Sequence, residues 1–166
     1  MIKKLFVLTT MLATTLGCAQ KEATSFKKEG LENVMVNMEN QPITFAEILK
    51  KNEGKTIVID VWASWCSDCV KGMPKVKALQ EKFPEIIYVF ISMDKTYEAW
   101  LKGIEKHELK GEHYLTSDGM KGVFGKSIDL DWIPRYMVVD KTGKIALYKV
   151  IEADDEKLIK IIASLK

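Results

Sequence analysis

Apolar positions along this chain change period several times, and each change marks an element. Ile57-Val58-Ile59-Asp60-Val61 is β-branched and apolar almost throughout, the pattern of a strand buried on both faces. Ile86 to Met93 repeats that pattern, whereas Val34-Met35-Val36-Asn37-Met38 alternates as a strand with one wet face does. Asn40-Gln41-Pro42 turns the chain into a short amphipathic helix near Phe45 to Leu49. A longer helix is predicted from about Ser67 to Lys82, and Tyr97 to Lys106 sets Trp100, Leu101 and Ile104 on one helical face. Ser117-Asp118-Gly119 predicts the start of a further short helix running through Phe124. Tyr136 to Val139 and Ile145 to Val150 flank Asp140-Lys141-Thr142-Gly143, a turn signal for an antiparallel hairpin. Asp154-Asp155-Glu156 opens a last helix ending near Leu165, its acids at the favourable end. The order from Ile57 onward is β-α-β-α-β-β-α, an α/β domain with an added front segment (31–50) and a central helical insert (95–126).

One junction in this pattern carries chemistry. Trp65-Cys66-Ser67-Asp68-Cys69 follows the first buried strand and opens the long helix. A C-x-x-C pair in that setting reads as a redox motif that closes to a disulfide and reopens. A cysteine at a helix N-terminus faces unpaired backbone N–H groups and the positive end of the helix dipole. Both favour the thiolate, the form that attacks a disulfide. Cys66 is therefore the expected nucleophile, and Cys69, one turn further in, is placed to resolve the mixed disulfide. A zinc site would need about four ligands, and His107 and His113 lie far away in sequence. A purely structural bridge across two residues closes too small a loop to stabilise much. Asp60 lies in a run apolar enough to desolvate it, which raises a carboxyl pKa. Partly protonated near neutral pH, it could accept the Cys69 proton during resolution.

The segment Ile57 to Cys69 resembles the active-site segment of thioredoxins, and most closely that of the membrane-tethered TlpA/ResA-like thiol-disulfide oxidoreductases of bacterial envelopes. Asp60 stands six residues before Cys66, where thioredoxins carry a buried acid, and Pro74 stands where they carry the proline that kinks the active-site helix. Trp132-Ile133-Pro134-Arg135-Tyr136-Met137-Val138-Val139-Asp140-Lys141-Thr142-Gly143-Lys144 resembles the family segment with a cis-proline, a strand and a tight turn. The resemblance runs from roughly Val34 to Leu165. It implies a thioredoxin-like fold, with a central mixed sheet and flanking helices, spanning residues 31–166. It also implies a cis Ile133–Pro134 bond beside the cysteines, with the exposed backbone of Ile133 and Pro134 laid against an extended substrate strand. Trp65, directly before Cys66, is expected partly exposed and in reach of substrate, although Trp62, Trp65 and Trp132 all read first as packing residues, and both histidines as surface residues.

Two positions depart from the family. Ser67-Asp68 replaces the proline-containing pair between the cysteines, and a carboxylate there opposes the Cys66 thiolate. The couple is accordingly expected at the reducing end, near the about −270 mV of thioredoxin rather than the about −120 mV of DsbA. Gly72 stands where many members carry a glutamate, so that acid's part is absent here or supplied elsewhere.

Composition places the domain in the cell. Lys3-Lys4 precede a short apolar stretch, Leu5 to Leu16, then Gly17-Cys18. A basic start followed by a short apolar region is a secretory signal; spanning a bilayer would take about 20 apolar residues. Leu16-Gly17-Cys18 resembles a bacterial lipobox, so residues 1–17 are expected to be a signal peptide, Cys18 the lipidated residue, and the polar, aperiodic stretch 18–30 a flexible tether. Removing the signal takes away Lys3 and Lys4 and leaves basic and acidic residues in balance, with no basic excess for nucleic acid. With Cys18 acylated, Cys66 and Cys69 are the remaining thiols. There is no phosphate-cradling glycine loop, no copper-binding methionine stripe and no other cofactor motif, so no cofactor or metal is expected.

These observations converge on a lipid-anchored, periplasm-facing protein-disulfide reductase. Its expected partners are a disulfide-containing protein substrate and a membrane thiol electron donor. The rivals are a disulfide oxidase or isomerase, and a thioredoxin-scaffold binding module without turnover. A peroxidase of the related peroxiredoxin group would want a threonine where Ala63 stands.

Overall fold

The structure, a computed structural model, describes residues 23–116 and 118–166. The signal peptide, Cys18 and the start of the expected tether, like Ser117, lie outside the described residues. Seven strands form one mixed sheet: β1 (Val34–Val36), β2 (Pro42–Thr44), β3 (Ile57–Trp62), β4 (Ile87–Ser92), β5 (Glu112–Leu115), β6 (Arg135–Val139) and β7 (Ile145–Val150). The order across the sheet is β2-β1-β5-β4-β3-β6-β7. β3 and β4 run parallel, as do β4 and β5, while β6 pairs antiparallel with β3 and β7 antiparallel with β6. Every residue of β3 is buried, which is why its sequence is apolar on both alternations. Among the described residues six helices accompany the sheet: α1 (Lys28–Leu31), α2 (Phe45–Lys51), α3 (Ser67–Lys82), α4 (Tyr97–His107), α5 (Val123–Ser127) and α6 (Glu156–Ser164).

Four expectations are corrected. The insert is not wholly helical, because Glu112–Leu115 forms β5 between β4 and β1. Its glutamate and histidine hide the strand in the sequence; His113 is buried there against Phe90, ring to ring at 5.0 Å. A second strand, β2, precedes α2, made possible by an Asn37 turn in which its Oδ1 accepts the N–H groups of Glu39 and Gln41 at 3.1 and 2.8 Å. Pro42 is tolerated as the first residue of that edge strand. Helix α5 begins at Val123, past the predicted start. Gly119 takes a left-handed conformation (φ 65°), and the Asp118 carboxylate accepts the Val123 N–H at 2.6 Å, so the turn comes first and the helix after it.

The last correction concerns the tether. Residues 23–30 are packed against the domain: the Thr24 carbonyl accepts the Ile145 N–H at 3.0 Å, and Phe26 meets Phe45 edge-on at 4.8 Å. Phe45 in turn meets Phe124 at 5.0 Å. Gly30 is required by close approach, since a Cβ there would fall 2.1 Å from Ser127 Oγ. The front segment is thus welded to α5 through Phe45, whose ring meets Phe26 on one side and the sequence-distant Phe124 on the other.

Candidate active site

The cysteines owe their place to the end of β3. The Asp94 carboxylate, buried just beyond β4, accepts the Ser64 N–H at 3.0 Å, the Ser64 hydroxyl at 2.7 Å and the Ser92 hydroxyl at 2.7 Å. Gly103 of α4 closes the same corner: a Cβ on it would lie 2.7 Å from Ser64 Cβ. With Ser64 pinned, the Cys66 N–H donates to Ala63 O at 3.1 Å, and Cys66 becomes the N-cap of α3. Its Sγ accepts the Cys69 N–H at 3.2 Å, a backbone donor aimed at the sulfur that would carry the charge of a thiolate. Cys66 and Cys69 are joined by a disulfide. Cys66 is 7% exposed and Cys69 1%, so attack from outside falls on Cys66. Pro74 sits inside α3, where it withholds the N–H that would bond Val70 O.

The loop before β6 brings the second expected group to this spot. The Ile133–Pro134 peptide is cis, and Ile133 O lies 3.5 Å from Cys66 Sγ. Ile133 is only 5% exposed, less open than the resemblance implies, and its carbonyl lies against the sulfur a substrate would meet. Trp65 is exposed as expected, 59%, and Trp132 is 56% exposed, so of the three tryptophans read as packing residues only Trp62 is one. Two large indoles in water beside a disulfide form an apolar margin that a polypeptide can cover.

Asp60 lies within β3, 3% exposed, with neither carboxyl oxygen bonded among the described residues. Burial alone pushes its pKa up to about 8. The sequence expectation of a desolvated acid is met in full. Asp68 points outward and pairs with Lys71 at 3.8 Å, which offsets part of its field at Cys66. His113, expected at the surface, is buried, and burial lowers its pKa so that it stays neutral. Among the described residues no group of three or more His, Cys, Asp or Glu side chains is gathered as a metal would need. A groove of about 430 Å³ lies beside the cysteines, with Asp68, Gly72, Trp132, Pro134 and Tyr136 among its walls.

Sequence reasoning did not single out Asp94 or Tyr136. Asp94 directly follows a buried strand, as Asp60 interrupts one, and that shared position was the available signal. Tyr136 read only as the first residue of a strand.

A thioredoxin-like family model matches residues 53–145, more than half of the chain, and the chain belongs to that family. Among its relatives is the thiol-disulfide oxidoreductase ResA of Bacillus cereus, 26% identical over 142 residues that cover 84% of this chain and 78% of ResA. The thiol:disulfide interchange protein DsbE of Pseudomonas aeruginosa is 27% identical over 108 residues, covering 64% and 56% of the two chains. A solution structure of a Bacteroides vulgatus protein classed with the thiol-disulfide oxidoreductases superposes with a TM-score of 0.66 at 28% identity, covering 92% of this chain and 93% of that one.

Proposed function

We propose that this protein is a thiol-disulfide oxidoreductase that reduces disulfides in other proteins. The observation that carries this is the Cys66–Cys69 disulfide at the N-terminus of α3, its outer sulfur against Ile133 O and a buried, unbonded carboxyl group in the adjoining strand. In the reduced protein the Cys66 thiolate, favoured by the Cys69 N–H and the helix terminus, attacks one sulfur of the substrate disulfide and expels the other as thiolate. Cys69 then attacks Cys66 Sγ, releasing the second substrate thiolate and closing the disulfide seen here. Its proton passes to the Asp60 carboxylate. Trp65, Ile133 and Pro134 form the contact for the substrate chain.

Two electrons must re-enter for each cycle. A membrane thiol donor is their source in this reading, since the chain's own thiols are spent after one turnover. The exported, lipid-anchored location follows from the sequence of residues 1–18, with Cys18 as the anchored residue and the periplasmic side as the working compartment. Relatives that carry thiol-disulfide oxidoreductase and interchange names support the activity.

Insulin reduction driven by a small dithiol is the test. The wild-type protein is expected to accelerate it, and Cys66→Ser to abolish the acceleration. A wild type that binds insulin but turns nothing over would instead make this a binding module on a thioredoxin scaffold.

A further inference from the structure

The groove beside the cysteines has a floor that none of these steps uses. Tyr136 stands directly opposite Asp60 in the antiparallel β3–β6 ladder. Opposed residues put their side chains on one face of the sheet, with Cβ atoms about 4.5–5.5 Å apart. The Tyr136 ring is buried, yet the residue lines the groove. Gly72 on α3 is what keeps it reachable: a Cβ built there would have Tyr136 Oη as its nearest neighbour, at 3.8 Å. Any longer side chain at position 72 would lie over the hydroxyl. Asp60, by contrast, has two buried oxygens with no partner among the described residues, and a group that takes up and gives back a proton each cycle needs a route to water.

We propose that Tyr136 is a positioning residue for Asp60, its hydroxyl relaying protons between the buried carboxyl group and water in the groove that Gly72 leaves open. This rests on the reading in which Asp60 takes the Cys69 proton. In the balanced sequence, Cys69–SH gives its proton to Asp60 as its sulfur bonds to Cys66. Protonated Asp60 then passes a proton through one water to Tyr136 Oη, while Tyr136 releases its own to the groove. Tyrosine and carboxylate are both restored, and no electrons move in this step.

The charges around the pair are few. Asp68, Lys71 and Lys75 line the groove from α3, and Glu152 faces it from beyond β7. Lys75 bonds Glu152 at 2.6 Å and Asp154 at 3.1 Å, one cation that offsets part of the field of those two acids. On its other side Asp60 pairs with Phe90 of β4, which carries no charge. Burial, and after it the nearby Asp60 charge, holds the Tyr136 pKa above its ordinary value. The phenol therefore stays neutral throughout the working range, able to donate and accept at once.

The test is single-turnover oxidation of the reduced protein by a disulfide peptide, followed by tryptophan fluorescence from pH 5.5 to 9.5. The wild-type resolution rate is expected to rise with pH through one inflection, which Asp60→Asn removes. Tyr136→Phe keeps the buried ring and is expected to slow resolution by about tenfold at pH 7, the worth of a water-bridged hydrogen bond to a charged group. It is also expected to move the inflection up by about one pH unit, with the alkylation rate of Cys66 unchanged. Gly72→Leu, a substitution favourable to the helix, covers the hydroxyl without removing it and is expected to act in the same direction. A Tyr136→Phe profile that superimposes on wild type, or one lowered equally at every pH, overturns the relay. An inflection that survives Asp60→Asn overturns the relay together with the role of Asp60. A wild type that exchanges no disulfide at all overturns the oxidoreductase reading itself.

Discussion

Replacing Asp60 by Asn removes one ionisation from the core and almost no volume, so its effect on stability isolates the burial of that charge. Unfolded, the carboxyl group titrates at about 3.9; folded, burial raises it to about 8. The sign follows from proton binding. Between these two pH values the native state holds a proton that the unfolded chain releases, so native stability falls as pH rises. The loss begins near pH 4, continues through pH 8 and then levels off. At about 1.4 kcal/mol per unit, the difference between pH 5 and pH 8 is about 3–4 kcal/mol, an upper bound because water entry and relaxation soften buried charges. Urea unfolding of the oxidised protein at pH 5, 6, 7 and 8 measures it through midpoint and slope. The stability gap between Asp60→Asn and wild type is expected to widen in favour of the variant at each step. All other titrating groups cancel in that difference. A gap that stays constant from pH 5 to pH 8 would refute the raised pKa, and with it the matching of Asp60 to proton acceptance near neutrality.

Further outcomes bear on the neighbouring groups. Cys69→Ser is expected to leave Cys66 joined to substrate as a stable mixed disulfide, detectable as a mass increment that dithiothreitol removes; failure to accumulate it would mean that Cys69 is not the resolving thiol. Asp68→Asn is expected to make the couple more oxidising by no more than about 20 mV, because an exposed charge is worth about 0–1 kcal/mol and about 30 mV corresponds to 1.4 kcal/mol. Titration in glutathione buffers reads this directly. Asp94→Ala strands the Ser64 N–H and two hydroxyls in a buried corner and is expected to lower unfolding stability by about 1–3 kcal/mol. Trp65→Ala and Trp132→Ala are each expected to raise KM for a protein disulfide several-fold, about 1 kcal/mol of binding, while leaving the redox potential in place.

Residues close in sequence announced themselves, and residues brought together from afar did not. The β3 run, the helix from Ser67 to Lys82, the hairpin at Asp140 to Gly143 and the cysteines at the strand–helix junction were all legible, because period and turn chemistry are local properties. So was the desolvation of Asp60, since a carboxylate inside Ile57-Val58-Ile59 has nowhere polar to go. The polar strand β5 was hidden: Glu112 and His113 look solvated until β4 and β1 flank them. The packing of Phe26 on Phe45 and of Phe45 on Phe124 likewise depends on partners that no window contains. Ile133 O beside Cys66 Sγ, the Asp94 bracket beneath Ser64 and the opposition of Tyr136 to Asp60 are decisions of the sheet order. The sequence by itself determined which side chains carry the chemistry, because thiol pair, acid and strand pattern lie within fourteen residues. Tertiary structure decided what reaches them, because strand pairing and groove walls are set by contacts between distant segments.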